Sequence, residues 1–367
     1  MKIKFLDLSI KNKNDLKKHL KLYRTFLTRG VFVLGDTVTK FENFISRLIK
    51  KKYTIGCSSG TNAIYLALKA LNIKKGDHVL VPCLSWVSTF TAVKMVGAEP
   101  IGVDVCKDFQ MEFNQIKKRV TKKTKAIILV YFTGHYKSYS KLKKFCKGKN
   151  IKIIEDCAQS FGSKIKNKLN GNFGDIACFS MNPMKVYAAF GDSGAVSTND
   201  SKIFNKLKIL RYAGTVDKEK VLYPELNHKI DTLQAMVLLE KYKNLNKIID
   251  KRISNANLYN KYLHSDVCKP YFSKKRDHIY YTYTIMVKKR NKLKKFLAKN
   301  NIETQIQHPR IIYQHPGLKN IFNKAEHFPK GKKIIREILS LPINEKLTKK
   351  EIMKVIKKIN FFIKNNN

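Results

Sequence analysis

One lysine stands apart from the rest. Most lysines come in clusters such as Lys17–Lys18, Lys50–Lys51–Lys52 and Lys143–Lys144, but Lys185 is alone between Met184 and Val186. It lies in SMNPMKVYAAFGDSG, residues 180–194, a run that otherwise reads as buried. An amine in apolar surroundings carries a desolvation penalty, and burial that weakens its hold on a proton makes it a nucleophile. The competing reading is a lysine whose stem is covered while its head reaches water.

Three further stretches carry residue types that could do chemistry. In IIEDCAQS, Glu155 and Asp156 end an apolar run and alternate in direction. Asp156 is thereby set where ligands gather in a parallel sheet, with Gln159 just beyond it; an acidic residue opening a turn would look the same. In CSSGTNAI, residues 57–64, Gly60 permits close backbone approach, and Ser59 and Thr61 add hydroxyls at a helix start. The stretch has neither a G-K-[ST] ending nor a G-x-G-x-x-G pattern, and a plain helix cap would also satisfy it. In PCLSWVSTF the single tryptophan, Trp86, follows a strand, where its ring could stack on a flat ligand or pack in the core. Together the lone lysine, the strand-end aspartate, the phosphate-type turn and the planar ring are the parts that a pyridoxal phosphate site requires. The amine would join the aldehyde, and the carboxylate would keep the ring nitrogen protonated.

These residues need a scaffold, and the apolar pattern supplies one. Short apolar runs at 53–57, 78–83, 100–105, 125–132, 151–156, 175–180 and 194–198 read as strands. Helical periods fall between several of them, at 61–71, 86–96 and 138–147. Alternation of this kind predicts a mostly parallel sheet with helices on both faces, an α/β fold. A long helical pattern over 231–263 follows. Then comes a smaller α/β region with a strand at 278–287, a helix near 290–300, a strand near 302–307 and basic helices at 330–339 and 348–364. The expected division is a large domain over residues 1–245, with an N-terminal helical segment, and a small C-terminal domain over 246–367.

Composition narrows the class. The chain has 367 residues, 43% of them hydrophobic, which is enough for a substantial core. No apolar run reaches the length of a membrane span, and the N-terminus MKIKFLDLSIKNKND lacks the apolar stretch of a secretory signal. Seven scattered cysteines with no C-x-x-C pair predict reduced thiols, a cytoplasmic setting and no structural zinc. The formal charge of +47 invites a nucleic-acid reading, but only ten of the 74 basic residues are arginine and no basic arm is set apart. Specific nucleic-acid binding is therefore not expected.

In its motifs the chain resembles the DegT/DnrJ/EryC1/StrS family of sugar aminotransferases, on the aspartate aminotransferase fold (fold type I). The stretches that carry the likeness are SSGTNAI, VPCLSWVSTFTAV, GAEPIGVDV, IIEDCAQSFGS, FGDIACFSMNPMK and GDSGAVST, and the match runs from about Arg29 to about Thr348. The resemblance implies that Lys185, in an S-x-x-P-x-K segment, is the Schiff-base lysine of pyridoxal 5'-phosphate. It implies that Asp156 meets the pyridine nitrogen and that Gln159 lies against the ring and its phenolic oxygen. Gly60, Thr61 and Ser180 would hold the phosphate, and Trp86 would stack on the ring. Asn227, in LNHKID, resembles a residue that reaches the neighbouring subunit's phosphate, which implies a homodimer with shared sites.

The implied reaction is ping-pong transfer of an amino group from L-glutamate to a nucleotide-linked keto sugar, with Lys185 moving the proton, for amino sugars of surface glycans such as lipopolysaccharide. Three departures fall on the substrate side. Lys229 stands where the family often has Arg, Tyr131-Phe132-Thr133-Gly134 replaces H-x-x-G, and Gln307-His308-Pro309 replaces H-Y-P. Two rival functions are a sugar dehydratase or deoxygenating relative and a non-catalytic, nucleic-acid-binding regulator. The deoxygenating branch carries His at the lysine position, which Lys185 opposes; a non-catalytic binder would need none of Lys185, Asp156, Gln159 and Ser180.

Overall fold

The computed structural model describes residues 2–217, 219–271, 276–318 and 327–365. Strands β1 (Tyr53–Cys57), β2 (His78–Pro82), β3 (Glu99–Val103), β4 (Thr124–Val130), β5 (Lys152–Asp156), β8 (Ile176–Ser180) and β9 (Gly194–Thr198) form one sheet. Between β5 and β8 lies a small hairpin, β6 (Lys164–Ile165) and β7 (Lys168–Leu169). The sheet order is β1-β9-β8-β5-β4-β2-β3. Pairing is parallel across β3, β2, β4, β5 and β8, while β9 is antiparallel to both of its neighbours, so β9 alone opposes the rest. The expected mostly parallel α/β sheet is present, built from all seven apolar runs.

Side-chain alternation explains why these runs read as continuously apolar. Along β4, Ala126, Ile128 and Val130 enter one core cluster, while Ile127 and Leu129 enter another on the opposite face. A parallel sheet buried on both faces needs no polar side. The helices that cover it are α2 (Gly35–Ile49), α3 (Gly60–Ala70), α4 (Ser88–Met95), α5 (Phe113–Arg119), α6 (Ser140–Gly148) and α7 (Ser201–Arg211), whereas α1 (Lys13–Arg29) has no buried residue. A second hairpin, β10 (Thr215–Val216) with β11 (Lys220–Val221), precedes α8 (Thr232–Tyr242).

The long helical pattern over 231–263 is two helices, α8 and α9 (Leu245–Tyr262), separated at Lys243 and Asn244. The start of α9 shares the core that α8 serves, through Leu245 and Ile249, and its later turns enter another. Ala235 and Leu238 pack against the large sheet, whereas Ala256 and Tyr259 pack in a third cluster. That third cluster surrounds a two-stranded sheet, β12 (Tyr283–Met286) with β13 (Ile338–Leu341), and takes in α10 (Arg290–Lys299) and α12 (Lys349–Lys364). The strand expected over 278–287 is shorter because His278 and Ile279 leave the pair to bond the turn that follows β4: His278 bridges His135, and Ile279 N donates to Gly134 O at 3.1 Å. In place of a strand near 302–307, single bridges tie Ile302 to Ile3 and Gln305 to Ser340.

Helix α11 (Pro329–Glu337) joins the two parts. Ile334 and Ile335 pack in the large core, and the Asp104 carboxylate, at the end of β3, accepts from Lys330 N (3.1 Å) and Gly331 N (2.9 Å). Those are two of the first-turn amides that a helix leaves unpaired. Gly331 has to be glycine, since a Cβ there would stand 2.6 Å from Cys83 Sγ.

Candidate active site

Every candidate residue except Asn227 lies at or just beyond the carboxyl end of a strand of the large sheet, where such sheets leave a crevice. Gly60 and Thr61 follow β1, Trp86 follows β2, Asp156 ends β5 with Gln159 after it, and Ser180 ends β8 with Lys185 after it.

The turn into α3 closes against β8. Ser59 caps the helix by accepting from Asn62 N (3.1 Å), and the first intrahelical bond runs from Ala63 N to Ser59 O. The amides of Gly60 and Thr61 precede that bond and point out of the helix end, the geometry that attracts an anion. A Cβ on Gly60 would lie 2.5 Å from Ser180 Cβ, so only glycine lets the turn and Ser180 meet. The Thr61 hydroxyl is 2.7 Å from Ser88 Oγ, at the start of α4.

Asp156 is 6% exposed. Its Oδ1 accepts from Ala158 N (3.1 Å) and its Oδ2 from the Thr89 hydroxyl (3.4 Å). Burial raises its proton affinity; the hydrogen bond from Ala158 and the nearby charge of Lys185 oppose that shift. A buried carboxylate held by two neutral donors can still take a cation. A protonated ring nitrogen answers that need, and the glycine-lined turn beside Ser180 answers a phosphate. The residues present therefore fit pyridoxal phosphate.

Glu155, the neighbour of Asp156, faces the other side of the sheet. It accepts from the Tyr131 hydroxyl (2.8 Å), Gly171 N (3.2 Å) and Gly174 N (2.6 Å) and is part of the scaffold. Gln159 is fixed at one end. Its Oε1 accepts from Thr133 N at 2.8 Å, which leaves the NH2 group to donate elsewhere. Thr133 adopts φ +60, a conformation β-branched residues avoid, and Gly134 follows at φ +97.

Lys185 sits on a turn built by Asn182. Asn182 O accepts from Lys185 N (2.9 Å), Asn182 Oδ1 accepts from Met184 N (3.0 Å), and Asn182 Nδ2 donates to Asp192 (2.6 Å). The Lys185 side chain is half-buried, with Nζ 4.9 Å from the centre of the Tyr281 ring. Trp86 is 60% exposed, so it is not a core residue; its ring is 5.8 Å from that of His308 at a 56° tilt. His308 also approaches Phe132 (5.2 Å), and its buried Nε2 has no partner among the described residues. Burial first, and the Lys185 charge second, lower the His308 pKa to about 4.

Asn227 lies apart from this group on an exposed loop before α8. Its Oδ1 accepts from Lys229 N (3.1 Å), and the Lys229 amine sits 4.1 Å from the centre of the Tyr212 ring. The loop is tied to the phosphate-type turn, because His228 O accepts from Ser58 N at 2.9 Å. The sequence reading did not single out Thr89 or Tyr281. Thr89 lies in the quoted Trp86 motif three residues on, and Tyr281 is hidden in a tyrosine-rich run whose other rings are core.

The profile of the DegT/DnrJ/EryC1/StrS aminotransferase family matches residues 14–360. The chain is 30% identical to a protein of Geobacillus stearothermophilus named pleiotropic regulatory protein, over 98% of each chain. It is 31% identical to dTDP-3-amino-3,6-dideoxy-alpha-D-galactopyranose transaminase of Aneurinibacillus thermoaerophilus, over 98% of this chain and 99% of that one. Among solved structures it is similar to NtdA of Bacillus subtilis with bound cofactor PMP, with a TM-score of 0.93 and 27% identity over 99% of this chain and 85% of that one.

Proposed function

The chain belongs to the DegT/DnrJ/EryC1/StrS aminotransferase family, and on that footing we propose that it transfers an amino group from L-glutamate to a nucleotide-linked keto sugar. The cofactor of this family is pyridoxal 5'-phosphate. When bound, it supplies an electron-withdrawing ring that stabilises negative charge at the donor's α-carbon. The observation that carries the reading is that Gly60 packs against Ser180 while the Lys185 charge acts on buried Asp156, all at the carboxyl ends of β1, β5 and β8.

Each residue has a separate task. Asp156 would hold a proton on the ring nitrogen, and that positive charge would offset the burial that raises the carboxyl's proton affinity. Gly60, Thr61 and Ser180 would hold the phosphate with backbone and hydroxyl donors. Gln159, its oxygen already engaged by Thr133, turns its NH2 toward the ring's phenolic oxygen. Trp86 offers an exposed face for stacking. Lys185 anchors the cofactor and, once free, takes the proton from the donor's α-carbon and delivers it on the cofactor side.

The working unit in this reading is a homodimer. Helix α1 buries none of its own residues, and Leu16, Leu20, Tyr23 and Leu27 form an exposed apolar stripe at helical spacing. Asn227, exposed on its loop, would reach the partner's phosphate. The seven cysteines are all free, which favours a reducing, cytoplasmic setting. No helix among the described residues is long and apolar enough to cross a membrane. Surface glycans such as lipopolysaccharide are the destination this reading gives the amino sugar.

A regulatory role is the second reading, favoured by the name of the Geobacillus relative. One experiment separates the two. Enzyme loaded with the amine form of the cofactor is mixed with keto sugars carried on dTDP, UDP or GDP, and recovery of the aldehyde absorbance is followed. A catalyst returns to the aldehyde form with one of them, and a regulator with none.

A further inference from the structure

We propose that Tyr281 is a positioning residue for the amine of Lys185, its ring face holding the ammonium while the lysine is not joined to the cofactor. The proposal rests on the assignment of Lys185 as the proton-moving amine. Lys185 Nζ stands 4.9 Å from the Tyr281 ring centre, inside the range over which a cation is drawn to an aromatic face. The lysine is half-buried, so water screens the attraction only in part.

Tyr281 is placed from both sides. Arg252 is 4% exposed and paired with Glu345 at 3.0 Å; its Nη1 donates to the carbonyls of Tyr280 (3.2 Å) and Tyr281 (3.3 Å). On the other side Gly134 takes φ +97 and brings its backbone against the tyrosine; a Cβ there would be 2.9 Å from Tyr281 N. The neighbouring rings of Tyr280 and Tyr283 are buried in the small core, which leaves Tyr281 as the ring of this run turned to the cleft beside Met184 and Gln307.

The chemistry suits a ring better than an acid. A proton taken from the donor's α-carbon makes Nζ a cation until it is delivered. A carboxylate beside it could accept that proton, whereas a ring face attracts the charge and leaves the proton in place. His308, kept neutral nearby, adds no competing positive charge at neutral pH.

The test uses enzyme in the pyridoxamine form, where the Lys185 amine is free. The rate of Lys185 acylation by acetic anhydride at pH 7.5 is read by peptide mass spectrometry against exposed Lys52 as the internal reference. Tyr281→Phe keeps the ring face and should stay within about two-fold of the parent, whereas Tyr281→Met should acylate about 2- to 30-fold faster, the range expected for loss of such a contact. Any other pattern, including Phe behaving like Met, overturns the proposal. A second readout needs no variant. In carbon-labelled enzyme the ε-methylene protons of Lys185 should be displaced upfield of the other lysines by the ring current, and their absence from that region overturns it too. If borohydride fixes pyridoxyl to another residue, the lysine assignment itself fails; if it fixes it to Lys185 and these signals are absent, only the role of Tyr281 falls.

Discussion

A β-carbon on Gly60 would stand 2.5 Å from the β-carbon of Ser180, so the turn into α3 and the end of β8 touch only because residue 60 has no side chain. Gly60→Ala should push the two apart and spoil the anion cradle. With overpacking at about 1–3 kcal/mol, cofactor affinity should fall about 5- to 150-fold in an absorbance titration. Ser180→Ala keeps its own β-carbon and should not rescue the double variant. Unchanged affinity in Gly60→Ala would remove the phosphate from this turn.

Asp156→Asn preserves shape and the acceptor for Ala158 N but removes the charge. Turnover should fall about a thousand-fold. The cofactor-free protein should behave oppositely. Folding raises the carboxyl's proton affinity above its ordinary 3.8, so its contribution to stability is complete below that value and is lost as pH rises through the raised one. The asparagine variant lacks that loss and should melt at a higher temperature than the parent near pH 7 when both are stripped of cofactor. Equal turnover, or a lower melting temperature, would contradict the assignment.

His308 should stay neutral from pH 8 to pH 5, because burial and the Lys185 charge hold its pKa at about 4. In the unfolded chain the ring takes its proton near 6.5, so this group withdraws stability as pH falls from 6.5 toward 4. A proton NMR titration of the imidazole checks the first statement, and a shallower acid limb of the melting curve in His308→Gln checks the second. A titration midpoint near 6.5 would count against both.

The apolar stripe of α1 predicts its own test. Leu20 and Leu27 are 59% and 51% exposed. The pair Leu20→Asp and Leu27→Asp should shift the protein from dimer to monomer in light scattering while leaving its far-ultraviolet spectrum intact. Cofactor affinity should fall with it if Asn227 serves the partner's phosphate. A parent protein that is already a monomer would sink the shared-site reading.

The seven sheet strands could be read from the chain because burial on both faces makes them mostly apolar runs, as in KAIILVYF. The split between α8 and α9 could not. Lys243 and Asn244 disturb no periodicity, and the passage of α9 from one core, at Leu245 and Ile249, to another, at Ala256 and Tyr259, is a tertiary feature. Within the site, Lys185 was legible by its isolation and Asp156 by its place at a strand end. The Thr89 hydroxyl and the Tyr281 ring were not, since their partners lie 67 residues away for Thr89 and nearly a hundred for Tyr281. Local pattern carries no sign of such meetings. For Trp86 the sequence favoured ordinary core packing over stacking on a ligand, and its exposure rules out the core reading.

The most direct test is reduction of the native protein with borohydride, followed by peptide mapping. The account predicts one stable pyridoxyl group per chain, carried by the peptide that contains Lys185. A pyridoxyl group on any other lysine, or none in protein that shows the cofactor's absorbance, would contradict it.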